Sequence, residues 1–313
     1  MSPLYTVFRF FSDHTDFYEH YFKATGWHSY VRNAAGMGAR HDRMSITTAA
    51  LMRLPVPFPP PTEQQRIVEC LTSLDDVIAA QAQKVEALKA HKRGLMQQLF
   101  PRESETVPRL RFPAFRDGPP WQRAPLGELF EMATGGTPDR AEKRFWNGSI
   151  PWVTTSLVGF NVITEVDEFI SEAGLENSSA KVFPKNTVLL AMYGQGKTRG
   201  QVALLGIEAS TNQACAAILP RGDIDPFFTF SSLASRYEEI RALSNSGGQE
   251  NLSQGLLRAL PFLYPKDRVE QSAIAACLSS LDAEIAAESE RLNALRSHKD
   301  GLMQQLFPTA AAE

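Results

Sequence analysis

At 313 residues and 34.7 kDa, the chain has room for about two domains. Its 43% hydrophobic and 21% charged residues match packed globular proteins and exclude a disordered chain. A net charge of −3 excludes a protein that coats nucleic acid indiscriminately, while leaving room for a local cationic surface that serves one groove.

No apolar run approaches the roughly 20 residues of a membrane span, and no signal core follows Met1, so a cytoplasmic location is expected. Cys70, Cys215 and Cys277 are too few and too scattered for a disulfide framework or a zinc site. They read as small buried residues.

In chain order, LYTVFRF (residues 4–10) reads as a strand and DHTDFYEHYFKAT as a helix. His14, His20, His28 and His41 lack metal-ligand spacing and are assigned no chemistry. A Gly/Asn loop, RNAAGMGARHDR, leads to a short helix capped at Ser45 that ends in Leu54-Pro55. A long helix follows. Thr62 stands three residues before Gln65, the spacing of a reciprocal cap, and the segment closes on LFP at Pro101. Between them Leu71, Leu74, Ile78, Val85, Leu88, Leu95 and Leu99 hold the a and d positions of a heptad, broken by Gln81 and Lys92.

The Pro-rich, basic stretch PRESETVPRLRFPAFRDGPPW reads as a linker, with Phe112 and Phe115 pinning it to a domain surface. Beyond it, ATGGTPDRAEKRFW offers Thr137, Arg140, Lys143 and Arg144 as phosphate contacts or as a solvated loop. In STNQACA, Asn212 and Gln213 are either base readers or turn caps. In NSGGQENLS, Gln249 and Asn251 are either base contacts or part of a linker. A short helix begins at Ser253 and ends in Leu260-Pro261, and a second long helix follows, with Asp267 three residues before Glu270 and LFP at Pro308. Its seam is Leu278, Leu281, Ile285, Leu292, Leu295, Leu302 and Leu306, broken by Glu288 and Lys299.

The two long helices are copies. Residues 64–101 and 271–308 share 22 identities in 38 positions at a constant offset of 207. At 1.5 Å per residue each would be a rod of roughly 57 Å. An isolated rod leaves its apolar stripe in water, so the expected partner is the other copy, in an antiparallel coiled coil that spaces two globular domains. The similarity extends upstream, so that 4–101 repeats 214–308, whereas 121–213 has no first copy. The expectation is a two-repeat protein that begins in the middle of its first repeat, through truncation or because a separate polypeptide supplies the rest.

LLAMYGQGKTRGQV (residues 189–202) has the spacing of a loose phosphate-binding loop. Such a loop must run from a strand into a helix, whose N-terminus supplies oriented N–H groups. Here RGQVALLG reads as a second strand, so a hairpin is expected. Its loop would project Tyr193, Gln195, Lys197, Thr198 and Arg199, a set suited to phosphates and base edges; the alternative is an ordinary solvated turn.

VPRLRFPAFRDGPPW, PLGELFEMATGGTPDRAEKRFWNGSIPWVTTSLV, LPVPFPPPTEQQRIVECLTSLDDVI and the two GLMQQLFP endings resemble the specificity (S) subunits of type I restriction-modification enzymes, over essentially the whole chain. The resemblance implies an α+β protein: mixed α/β target-recognition domains joined by two long helices that form an antiparallel coiled coil. It implies a DNA sequence-recognition subunit without a catalytic site, which docks two methyltransferase subunits and works with restriction subunits. S-adenosylmethionine, ATP and magnesium would belong to those partners, with no cofactor or metal in this chain. The expected layout is a partial first recognition domain (1–60), first spacer helix (61–101), linker (102–120), complete second recognition domain (121–265), second spacer helix (266–308) and tail (309–313). The alternative is a structural adaptor that binds the methyltransferase subunit without reading DNA. Whether a second S-type chain completes the first domain stays open.

Overall fold

Two 39-residue helices dominate the element order. The computed structural model describes residues 8–10, 15–37, 44–102, 105–194, 197–243 and 251–307. In chain order come α1 (Thr15–Lys23), α2 (His28–Ala34), β1 (Gly36–Met37), β2 (Met44–Ser45), α3 (Thr48–Leu51) and the first long helix α4 (Pro61–Leu99). Next are β3 (Gln122–Pro125), α5 (Leu126–Leu129), β4 (Met132–Thr134), β5 (Trp146–Val153), β6 (Asn161–Ile163), β7 (Glu168–Ile170), α6 (Glu172–Glu176) and β8 (Val182–Phe183). Then β9 (Val188–Ala191), β10 (Val202–Leu205), β11 (Ala209–Thr211), β12 (Cys215–Ile218), α7 (Pro226–Ser235), α8 (Tyr237–Ala242), α9 (Gln254–Ala259), β13 (Pro261–Tyr264) and the second long helix α10 (Arg268–Leu306) complete the chain. Among the described residues, no helix is long and apolar enough to cross a membrane.

The chain divides into two compact units, Met1–Leu88 with Glu284–Glu313, and Lys89–Ala283. Both long helices contribute to both units and pack against each other antiparallel. In the first unit Gln81 Nε2 donates to the Glu288 carbonyl (2.9 Å) and carboxylate (2.6 Å), and Lys299 pairs with Asp75. In the second unit Lys92 pairs with Asp282. Asp75 and Lys92 each lie 207 positions before their counterparts Asp282 and Lys299, so the repeat exchanges one ion pair for the other. Each polar break in the seam is therefore partnered by a residue of the other helix, and these contacts fix the register of two apolar stripes that alone would tolerate sliding. Every seam leucine, isoleucine and valine named above is buried or half-buried.

Around these helices the first unit clusters Phe17, Tyr18 and Tyr21 of α1 against Leu71, Met303 and Phe307. The second unit holds a five-stranded sheet of order β4-β12-β9-β10-β6, antiparallel except for β10–β6, and a four-stranded sheet of order β7-β5-β11-β8. VLLA, VALL and CAAI are apolar on both faces because both faces of the larger sheet are covered. Val188, Leu190, Val202, Leu204, Ala216 and Ile218 join the core that includes Phe228 and Phe262. The alternate residues Leu189, Ala191, Ala203, Leu205, Cys215 and Ala217 join a second core with Val153 and Phe183. This is the period of two that a pleated sheet imposes.

Several local expectations need correction. Neither long helix forms the reciprocal cap. The first begins at Pro61, so Thr62 lies inside it, and Gln65 Nε2 donates to Glu69 (2.8 Å). In the second, Asp267 accepts from the Val269 N–H (2.9 Å) as a cap should, but Glu270 turns away to meet Arg111. The short helix α3 is capped by Thr47 rather than Ser45, whereas Ser253 caps α9 as expected. Cys215 is buried, but Cys277 is half-buried and Cys70 exposed, since position 70 lies off the seam. Residues 4–7 of the expected first strand, His14 and His41 lie outside the described residues.

Candidate nucleic-acid interface

The GQGKT stretch joins two strands. β9 and β10 pair antiparallel, Leu190 opposite Val202 and Val188 opposite Leu204, so the two strands form a hairpin. No helix starts behind Lys197 to offer its N–H groups to a phosphate, which removes the geometry that a nucleotide loop requires. Two glycines shape the turn, Gly194 at φ 144° and Gly200 at φ 86°, conformations that cost a residue with a Cβ. Gln195 and Gly196 lie outside the described residues.

Three loops leave the same end of the five-stranded sheet, because β4 ends at Thr134 opposite Ala216, β9 ends at Ala191 opposite Cys215, and β10 begins at Val202. Hydrogen bonds tie these loops together. Thr137 donates its hydroxyl proton to Gln213 Oε1 (2.6 Å), the Met192 N–H donates to the Ala214 carbonyl (2.8 Å), and the Leu252 N–H donates to the Met192 carbonyl (3.0 Å). Thr137, Gln213, Tyr193 and Asn251 thus belong to one connected surface, on which Gln213, Tyr193 and Asn251 are exposed. Asn212 is half-buried, and its side-chain oxygen accepts from the Ala214 N–H (3.2 Å), the turn-capping role. Gln249 lies outside the described residues.

The glycines of ATGGT serve packing. A Cβ on Gly135 would overlap the Thr211 carbonyl, and one on Gly136 the Ser179 hydroxyl. Beyond them, the charges are distributed unequally. Arg140 pairs with Glu168 and stacks 3.7 Å from the Trp146 ring centroid and 4.9 Å from that of Trp152. Arg144 pairs with Glu142 (3.2 Å) and lies over Phe145, while Lys143 is exposed in the turn before Phe145. Arg140 is held by three neighbours; the exposed ion pair of Arg144 holds it only weakly.

Within the hairpin loop Lys197 and Tyr193 are exposed, and Thr198 and Arg199 are half-buried. The Arg199 Nε donor is buried and has no acceptor among the described residues. Sequence reading missed the brace beneath this loop. The Tyr237 hydroxyl donates to the Lys197 carbonyl (2.6 Å), Arg241 Nη1 donates to the Tyr237 oxygen (2.7 Å), and Phe160 meets the Tyr237 ring edge-on at 5.2 Å. Nothing in the local pattern around Tyr237 or Phe160 marks them, because the contacts of Tyr237 with Lys197 and Phe160 span 40 residues or more of sequence.

The linker stretch is also more firmly seated than its composition suggests. Arg111 Nε and Nη2 each donate to the Glu270 carboxylate at 2.7 Å, with side chains 7% and 1% exposed, and Trp121 Nε1 donates to the same group at 3.2 Å. Burial pushes the Cys215 thiol up to about 12, so it stays a neutral core residue.

The family model of the type I restriction modification DNA specificity domain matches residues 15–90 and 119–297. Over 214 residues the chain is 27% identical to the specificity subunit of a type I restriction enzyme of Escherichia coli, a match over 66% of this chain and 50% of that one. Over 167 residues it is 26% identical to the MjaIX specificity subunit of Methanocaldococcus jannaschii, covering 52% and 38%. The chain therefore spans half or less of the length of these relatives. Its fold is that of the type I restriction-modification S subunit of M. genitalium (TM-score 0.62, 19% identity, 95% of this chain and 73% of that one). It also matches the HsdS subunit of Thermoanaerobacter tengcongensis (TM-score 0.52, 16% identity, 94% and 70%).

Proposed function

The chain belongs to the type I restriction modification DNA specificity family, and on that premise we propose that it is a non-catalytic subunit that reads one DNA half-site through the second unit and docks methyltransferase subunits on its paired helices. The observation that carries this reading is the connected loop surface at one end of the five-stranded sheet. There an exposed Lys, Tyr, Gln and Asn stand on loops that are fastened to one another. Amides read base edges, Lys binds phosphate or guanine, and Tyr serves either role or stacks. Fastening matters because loops whose backbones are already held in place lose less entropy on binding.

In this reading S-adenosylmethionine, ATP and magnesium belong to the methyltransferase and restriction subunits, and the complex works in the cytoplasm. Arg140 shapes the loop through its tryptophans, and Lys143 and Arg144 add phosphate contacts at its edge. The test is selection from a random duplex pool with and without the methyltransferase subunit, followed by a salt titration of the winner. The expected result is one enriched half-site whose affinity falls steeply with salt. A chain that binds the methyltransferase subunit yet enriches no sequence is an adaptor.

A further inference from the structure

A fourth loop reaches the end of the sheet where the hairpin lies. β6 runs parallel to β10, with Asn161 opposite Ala203, so the segment before it, residues 154–160, arrives at the same end. That segment leaves β5 at Val153, whose carbonyl accepts from the Thr211 hydroxyl (3.0 Å) and the Asn212 N–H (3.2 Å). It reaches the hairpin at Phe160, whose N–H donates to the Val202 carbonyl (2.8 Å).

Among the described residues other than glycine, left-handed backbones occur at Asn147 (φ 59°), Phe160 (φ 59°) and Asn186 (φ 71°). Asparagine tolerates this conformation, whereas a bulky side chain there is strained. The Phe160 turn is held on both sides, by its own bond to Val202 and by the Gly159 N–H, which donates to Asn161 Oδ1 (2.9 Å). What the held strain presents is an aromatic ring, 36% exposed, with one edge on the Tyr237 ring that braces the Lys197 carbonyl. Strain of this kind persists where the surroundings enforce it, and it collects at binding surfaces.

We propose that Phe160 is a specificity-determining residue that packs against the 5-methyl group of a thymine in the half-site. The inference rests on the DNA-reading proposal above. Base edges in the major groove offer donors and acceptors, which amides and cations read, and one apolar group, the thymine methyl. Amid the polar side chains of this surface, Phe160 is matched to that group. Phe160 also walls a shallow groove with Val162, Phe227 and Phe230, which a protein partner would fill. Its strained backbone and its contact with the Tyr237 brace tie the ring to the loop surface instead.

The test uses the duplex selected by the full chain, with each thymine replaced in turn by deoxyuridine, which removes only the methyl group. One position should lose roughly fourfold in affinity, the value of one buried methyl. That difference should vanish in Phe160→Gly, because glycine accepts the left-handed backbone and removes the ring. Phe160→Asn, which also tolerates this backbone, should abolish it equally, so the test does not depend on one variant folding. A selected site without thymine, or deoxyuridine losses that persist in both variants, overturns the proposal while leaving the DNA-reading function intact. So does loss of methyltransferase binding in both variants with the thymine preference unchanged, which would assign the ring to the protein-docking groove. If no duplex is enriched at all, the DNA-reading function fails and this proposal falls with it.

Discussion

Lys197 and Tyr237 meet at one backbone carbonyl, yet they predict different losses. The Lys197 side chain is exposed and its carbonyl is held by the Tyr237 hydroxyl. Lys197→Ala is expected to weaken DNA binding. If Lys197 touches phosphate, the loss is uniform across sequences and the salt slope falls by about 1; if it reads a base, preference at one position relaxes by roughly 1–3 kcal/mol. Binding isotherms on the selected site and its single-base variants distinguish these, and unchanged affinity on both measures removes the loop from the groove. Tyr237→Phe deletes one partly exposed hydrogen bond, so stability should change by about 1 kcal/mol or less. Sequence preference should blur more than total affinity does, because the loop backbone loses its anchor. At this scale the exposed donors of the loop were legible from composition, since turn glycines and polar residues between two apolar runs announce a hairpin. The brace was not, because Phe160 and Tyr237 approach the loop only through tertiary structure.

Among the elements, the long helices were the most legible and the linker the least. Heptad spacing and a duplicated pattern identify Pro61–Leu99 and Arg268–Leu306 without any knowledge of packing, although the helix starts are set by Pro61 and Asp267 rather than by reciprocal capping. The segment around Arg111 reads as a Pro-rich spacer because periodicity carries no trace of a buried ion pair 159 residues away in sequence. Arg111→Ala would strip the buried Glu270 of its main partner, so the second unit should lose about 3–5 kcal/mol, measured by urea unfolding. A cost below about 1 kcal/mol would place the pair among surface bridges. The helix pair carries a pH signature as well. The Lys84 ammonium and the Gln81 amide hold the Glu288 carboxyl below the usual 4.5. A lowered folded pKa contributes stability that is fully present above the unfolded value and lost as pH falls through the folded one. Acid melting curves should therefore steepen below about pH 4.5, and Glu288→Gln should flatten that dependence while leaving the neutral-pH melting temperature within a few degrees.

At the scale of the molecule, register is what the repeat protects. Asp75–Lys299, Gln81–Glu288 and Lys92–Asp282 are three polar contacts along one antiparallel pair, and a change that slides one helix past the other breaks at least one of them. Seven residues inserted into α4 between Gln81 and Lys92 keep the apolar stripe on its face, because a heptad is two turns. The insertion still displaces Lys92 from Asp282 by roughly 10 Å along the axis, at 1.5 Å per residue. A single insertion should thus lower the melting temperature and broaden the transition. A matching heptad in α10 between Asp282 and Glu288 should recover most of the loss, because the antiparallel partners move together. If the single insertion melts like the parent chain, the polar contacts do not set the register and the apolar seams alone decide it. If the double insertion fails to recover, the helices are held through the modules around them rather than through each other.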